Sequence, residues 1–302
     1  MMKTHSYSLF VLFLFVSLFS NGQAMPENYD LDTSKYKLLR KMIAWDTEAI
    51  AVMPSVASNY FTRAESYIKM RNEKAALKDL NSADSLDPDN IAVIYKRGGV
   101  KQGLEDLNGS LKDFTRVTEL KPDFEWGFSD RGTILKELKR YDEAIESFLK
   151  AIKLKPNWAV PYFQMGDTYK EMGQYEKALE NYDRAISFDK NFAMIYNNRG
   201  NLKKLMRKYT EAIDDFLLAI NIEPDYRLAY RNLAECYFQI KNIDKAFESI
   251  NKAIEISPDY YDALVIRKDL FKNIGNKEKA CEDFLRLKKI KKEEADKELN
   301  CK

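Results

Sequence analysis

Glycine or alanine stands at 64, 98, 132, 166, 200 and 234, as Ala64, Gly98, Gly132, Gly166, Gly200 and Ala234, always 34 residues apart and without an insertion. A fixed period of this length means stacked units, each too small to bury its own apolar face, rather than one globular core. Two further combs share the register. One runs through Ala76, Ser110, Ala144, Ala178, Ala212, Ala246 and Ala280, the other through Ala83, Val117, Ala151, Ala185, Ala219 and Ala253. Pro88, Pro122, Pro156, Pro224 and Pro258 fall where a helix must stop, because proline lacks the amide hydrogen and clashes with the preceding turn. The frame spans 57–294 as seven units: 57–90, 91–124, 125–158, 159–192, 193–226, 227–260 and 261–294.

Each unit divides into a helix A over its first 14 or so positions and a helix B from about position 18, joined by a short polar turn such as Met172, Gly173, Gln174. Helix A of the fourth unit carries Tyr162, Met165, Gly166 and Tyr169, an apolar stripe that must be buried against neighbouring helices. The glycine or alanine comb marks the closest backbone approach, so Gly166→Leu should overpack that contact by about 1 to 3 kcal/mol.

These residues resemble the tetratricopeptide repeat, whose pattern places an aromatic or leucine at 4, leucine at 7, glycine or alanine at 8, tyrosine at 11, alanine at 20, an aromatic at 24, alanine at 27 and proline at 32. The fourth unit reads Tyr162, Met165, Gly166, Tyr169, Ala178, Tyr182, Ala185, with Lys190 in place of the proline. The resemblance implies an all-α, right-handed superhelical solenoid of seven helix-turn-helix repeats, whose A helices line a concave groove for peptides or partner proteins. The stretch from Ser34 to Val52, outside the repeat, reads as an amphipathic capping helix within a 25–56 segment. At the other end, the seventh unit's helix B is expected to run on to about Glu298 as a solvated cap, leaving 295–302 as its end and tail. The second unit is the weakest match, with Lys101, Ser110 and Val117 at positions 11, 20 and 27, and flexure is expected near it.

Arginine recurs at position 7, as Arg63, Arg97, Arg131, Arg199 and Arg267, and four of these units carry aspartate at position 23, as Asp79, Asp113, Asp215 and Asp283. Where position 7 is Met165 or Leu233, position 23 is Asn181 or Ser249. The two charges tend to travel together, which predicts a structural arginine–aspartate pair between helices A and B of one unit.

Lys3, an apolar run from Leu9 to Phe19 and the small residues Gly22 and Ala24 outline a signal peptide over 1–24, too short to span a bilayer, which takes roughly 20 apolar residues. Cleavage after Ala24 would make the protein secreted or periplasmic; contact with a membrane is expected only if the segment stays uncleaved. The net charge of +2 points to neither nucleic acid nor an anionic membrane. Of the three cysteines, Cys281 and Cys301 could not bond if Asn276–Glu298 is one helix, because about 20 residues of helix rise roughly 30 Å. Cys236 and Cys281 are accordingly expected as buried free thiols, with Cys301 a candidate accessible one.

The single histidine, His5, lies in the segment expected to be removed. Without it no serine or cysteine nucleophile has an imidazole base, no histidine metal site exists, and there is no phosphate loop or dinucleotide-binding turn. No enzyme, metal or cofactor is expected. The resemblance places the groove at helix A positions 2, 5, 6, 9, 12 and 13. There Lys136, Lys170 and Lys204 could attract an acidic peptide, although Asp167 with Lys170 reads first as a solvated i, i+3 pair. Asn197, Asn201, Arg231 and Asn232 form the expected ligand zone, since asparagine amides can bond a peptide backbone of any sequence. A clamp for a chaperone's terminal carboxylate is not expected, because Asn197, Asp262 and Ile266 stand where its cations would be. The reading is an exported, non-enzymatic scaffold that binds a protein or peptide; the alternative is a structural subunit of an envelope complex assembled through its outer faces.

Overall fold

The structure is a computed structural model that describes residues 34–290 and Cys301. It is all-helical, with 15 helices and no strand among the described residues. They fall into two compact units, divided between Leu86 and Asp87 at the entry to the weakest repeat. The first holds α1 (Ser34–Val52), α2 (Ala57–Lys69) and α3 (Glu73–Leu86). Helix α1 covers the predicted stretch and lies against α2, with Tyr36 and Leu39 buried.

The second unit holds six hairpins: α4 (Ile91–Gly103) with α5 (Leu107–Leu120), α6 (Glu125–Glu137) with α7 (Tyr141–Leu154), α8 (Ala159–Glu171) with α9 (Tyr175–Phe188), α10 (Ala193–Leu205) with α11 (Tyr209–Ile222), α12 (Arg227–Gln239) with α13 (Ile243–Ile256), and α14 (Tyr261–Asn273) with α15 (Lys277–Ile290). Each helix packs on the next, and α6, α8, α10, α12 and α14 also touch in sequence, so the A helices form one continuous face.

The small residue at position 8 faces the large residue at position 24 of its own hairpin. A Cβ added to Gly132, Gly166 or Gly200 would lie 2.6, 2.7 or 2.8 Å from the ring of Phe148, Tyr182 or Phe216. Where position 8 is Ala64 or Ala234 the partner position holds Leu80 or Ile250 instead of a ring. The pair is therefore filled to constant volume, as close packing demands.

A further period is written in the backbone. Arg71, Glu105, Lys139, Gly173, Arg207, Lys241 and Gly275, at 34-residue spacing, all have φ between 56° and 75°. Each ends a helix A in a Schellman turn: Lys139 N donates to Lys136 O at 2.8 Å and Arg140 N to Leu135 O at 2.8 Å. Five of these left-handed positions hold residues other than glycine, so stacking of the hairpins overrides their local preference.

All four predicted charge pairs form. Arg63 grips Asp79 through Nε and Nη2, both at 2.7 Å, and Arg97–Asp113, Arg199–Asp215 and Arg267–Asp283 repeat that fork. The carboxylates are fully buried, between 1% and 2% exposed, so each fork satisfies charges that could not stand alone. Lys101 and Lys203 add a second cation to Asp113 and Asp215 at 2.7 and 2.8 Å. Lys101 in the second repeat thus turns inward, and Ser110 Oγ, also buried, donates to Gly98 O at 2.8 Å. The arginines reach backward as well: Arg63 donates to Thr47 Oγ1 and Arg267 to Asn251 Oδ1, 16 residues earlier in each case. Arg131 and Arg199 do the same to Thr115 and Asp183. In the two units where position 7 is Met165 or Leu233, the residue 16 earlier is Leu149 or Leu217. In these two units leucine thus stands where the arginine-bearing units hold a polar or charged partner.

The expectation for the cysteines is corrected. Cys281 and Cys301 form a disulfide, their Cα atoms 5.6 Å apart, which no straight helix across that interval could give. The described part of α15 ends at Ile290, and the residues assigned to its run toward Glu298, 291–300, lie outside the described ones, as does His5. Cys236 is the buried free thiol expected of it. Burial pushes its pKa up to about 12.

Candidate functional site: the A-helix face

The A-helix face is stitched together by polar side chains. Asp167 of α8 is 9% exposed and accepts bonds from three directions: Tyr182 Oη at 2.5 Å from α9, Lys170 Nζ at 2.9 Å one turn on, and Asn198 Nδ2 at 3.1 Å from α10. Asp167 and Lys170 do form the expected i, i+3 pair, but its carboxylate is buried and shared with two other helices, while the lysine side chain stays 25% exposed. Burial, with the Asp167 carboxylate beside it, raises the Tyr182 pKa and keeps that phenol a donor. Through Asn198 the aspartate ties two repeats together.

The chain of bonds continues across the next interface. Asn197 Nδ2 donates to Asn198 Oδ1 at 3.2 Å, and Asn232 Nδ2 of α12 donates to Asn197 Oδ1 at 3.0 Å. Asn232 Oδ1 accepts from Arg231 Nη1 at 2.9 Å and from Lys204 Nζ at 3.3 Å. Both Arg231 and Lys204 also bind Glu235. At 5% and 3% exposure, Asn197 and Asn232 are occupied with each other and hold α10 and α12 in register. Of the seven predicted contact residues, Lys136 is bonded to Gln164 Oε1 at 2.8 Å, Lys170 sits in the Asp167 network, and Asn201 alone makes no side-chain hydrogen bond among the described residues.

Beside this network lies a cleft of about 370 Å3. Lys204 of α10, Tyr209 of α11, Glu235, Phe238 and Gln239 of α12, and Ile266, Asp269 and Leu270 of α14 line it. Its floor is apolar, with Leu270 1% exposed, and its rim is charged, with the Asp269 side chain 58% exposed. Such a shape takes an apolar side chain below and main-chain or charged groups above. Lys204 and Glu235 are common to cleft and network; Tyr209, Phe238 and Gln239 were not singled out from sequence. Further along the face, Tyr95 Oη donates to Asp130 Oδ2 at 2.5 Å, with burial raising both pKa values. Among the described residues no three histidine, cysteine or carboxylate side chains gather as metal ligands, and no helix is long and apolar enough to cross a membrane.

No curated protein matches this chain in sequence. One chain of the crystal structure of the APC/C hetero-tetramer Cut9-Hcn1 superposes with TM-score 0.62 at 15% identity, over 85% of this chain and 50% of that one. This chain thus spans half the length of that neighbour. A tetratricopeptide repeat protein from Parabacteroides merdae superposes with TM-score 0.62 at 18% identity, covering 80% of this chain and 95% of its own. PilF of Pseudomonas aeruginosa does so with TM-score 0.58 at 16% identity, over 70% and 97%. At these identities the likeness is one of fold. Family models described as TPR repeat match 132–173 and 166–206, and those described as tetratricopeptide repeat match 57–90, 193–226 and 228–260. Together they cover more than half of the sequence, and the chain belongs to the tetratricopeptide repeat family.

Proposed function

We propose that this protein is an exported, non-enzymatic scaffold that binds a protein or peptide along its A-helix face. The observation that carries the reading is the cleft between α10, α12 and α14, with an apolar floor and a charged rim held in place by the Asn197–Asn232 network. A groove fixed in this way loses little entropy on binding. Export is supported by the signal-like segment at 1–24 and by the Cys281–Cys301 disulfide, a bond that persists in oxidising compartments.

Binding is tested with Asp269→Ala and Asn201→Ala, two groove changes that leave the network intact. Crosslinking in the native compartment, read by mass spectrometry, should lose the wild type's main partner in both variants. Unchanged crosslinks would favour assembly through the outer faces instead. Amino-terminal sequencing of the native protein tests export: a chain starting at Met25 is expected, and a cytosolic chain starting at Met1 would overturn it.

A further inference from the structure

The face of α1 that meets α2 holds Tyr36 and Leu39, both buried, and Asp46 and Thr47, which accept bonds from Thr62 and Arg63 at 3.0 Å each. A second row lies away from that face. Leu38, Trp45 and Val52 recur every seven residues and are all exposed, Trp45 at 63%. Half-buried Met42 and Ala49 stand beside this row, so the apolar positions 38, 42, 45, 49 and 52 alternate spacings of four and three. That is the seam a helix turns toward one partner helix. The end unit of a stacked array ordinarily shows water a polar outer face instead.

The charges of α1 oppose its own dipole. Lys35, Lys37, Arg40 and Lys41 precede Trp45, while Asp46 and Glu48 follow it. A lone helix is favoured by acidic residues in its first turn and basic ones in its last, and α1 has neither. Lys41 and Glu48, both exposed, border the seam on one edge, each just before an apolar position of the pattern. Neither has an opposite charge three or four residues away, so α1 does not pair them itself.

We propose that α1 is a self-association surface, through which two copies of this chain pair antiparallel along Leu38, Met42, Trp45, Ala49 and Val52, with Lys41 of each copy against Glu48 of the other. Antiparallel pairing sets the basic half of each helix beside the acidic half of its mate and opposes the two dipoles. A parallel pair would set Lys41 on Lys41 and Glu48 on Glu48. In the antiparallel register Trp45 packs on Met42 of the other copy and Leu38 on Ala49, so each layer joins a larger side chain to a smaller one. No residue of the cleft takes part, and the pairing stands independently of peptide binding.

Sedimentation of the chain without its signal-like segment, residues 25–302, over a range of concentrations tests the pairing. A contact of one helix per copy is smaller than a standard interface, so a dimer with Kd on the order of 10 μM is expected. Trp45→Ala should weaken it at least about tenfold, as loss of a central aromatic anchor does. Lys41→Glu and Glu48→Lys should each weaken it about tenfold by facing like charges across the seam, and the two combined should restore it. These side chains are exposed, so at dilutions where all are monomeric the variants should keep the wild type's helix content and thermal midpoint. The charge variants carry the test even if Trp45→Ala lowers the midpoint. A wild type that stays monomeric up to about 0.5 mM would overturn the proposal and leave the seam to the residues before Ser34 or to another protein. So would a dimer that neither Trp45→Ala nor the charge variants weaken, or a double variant that dimerises no better than the single ones.

Discussion

Replacing Gly200 by alanine tests whether the position 8 comb is a packing requirement. A Cβ there would lie 2.8 Å from Cε1, 3.0 Å from Cζ and 3.1 Å from Cδ1 of Phe216, a ring that is fully buried. Ordinary carbon contacts are near 3.5 to 4.0 Å, so the ring or α11 must move, at about 1 to 3 kcal/mol. Alanine returns about 1 kcal/mol of helix propensity, which leaves Gly200→Ala destabilised by about 1 kcal/mol. Phe216→Leu should cost about 1 to 2 kcal/mol through the smaller side chain. On that background Gly200→Ala should instead stabilise by about 1 kcal/mol, because the site then resembles Ala64 with Leu80. The coupling is thus about 2 kcal/mol with a change of sign. Gly99, with nothing within 4 Å of an added Cβ, is the control, and Gly99→Ala should stabilise by about 1 kcal/mol. Urea midpoints of the four cycle members, read together with hydrogen exchange in α10 and α11, measure this without assuming that the whole array unfolds as one. If Gly200→Ala stabilises the wild type as Gly99→Ala does, the close-approach argument fails.

The remaining predictions concern charges, turns and sulfur. Arg63→Met should cost about 3 to 5 kcal/mol and Arg199→Met less, because Lys203 stays 2.8 Å from Asp215; a double mutant cycle of Arg199→Met with Asp215→Asn should show coupling above 1 kcal/mol. Gly173→Ala, at φ of 73°, should lower stability by about 1 kcal/mol, and Lys139→Gly should raise it by a few tenths, both read from urea midpoints. Cys236 should resist iodoacetamide at pH 8 in the folded protein and react once unfolded. Its folded pKa of about 12 lies above the unfolded value, so stability should be full below about pH 8.5 and decline from there toward 12. Cys301→Ser opens a loop of 20 residues and should lower protection of α15 by up to about 3 kcal/mol; equal hydrogen exchange with and without the bond would refute this.

Much of the fold was legible because its determinants repeat. Gly132, Gly166 and Gly200 announce their role by spacing, and so do Arg63 and Asp79, since aspartate occurs only in units that carry the arginine, four of the five. The left-handed turns were not legible, although equally periodic, because arginine, glutamate and lysine at Arg71, Glu105 and Lys139 carry no mark of positive φ. Their conformation is imposed by the hairpin, through Schellman bonds closed by tertiary packing. The disulfide was missed for a related reason. Charged, glycine-free sequence after Asn276 favours one helix to Glu298, which would hold the two sulfurs apart, and nothing in it marks the bond that places their Cα atoms 5.6 Å apart.

The candidate site shows where one-dimensional reasoning stops. Asp167 and Lys170, three apart, read as a surface pair, yet the aspartate's other donors, Tyr182 and Asn198, lie 15 and 31 residues away. Asn197 and Asn232 were expected to face a ligand because their amides could bond any peptide; they face each other, at a separation of 35 residues, one repeat plus one. That extra residue offsets contacts between successive A helices from the 34-residue comb, and the bonds Tyr95–Asp130 and Gln102–Glu137 share it. A search at 35 as well as 34 would have paired Asn197 with Asn232 and left Asn201 outside that pairing. The face that could meet a partner is thus what remains after the repeats have satisfied one another.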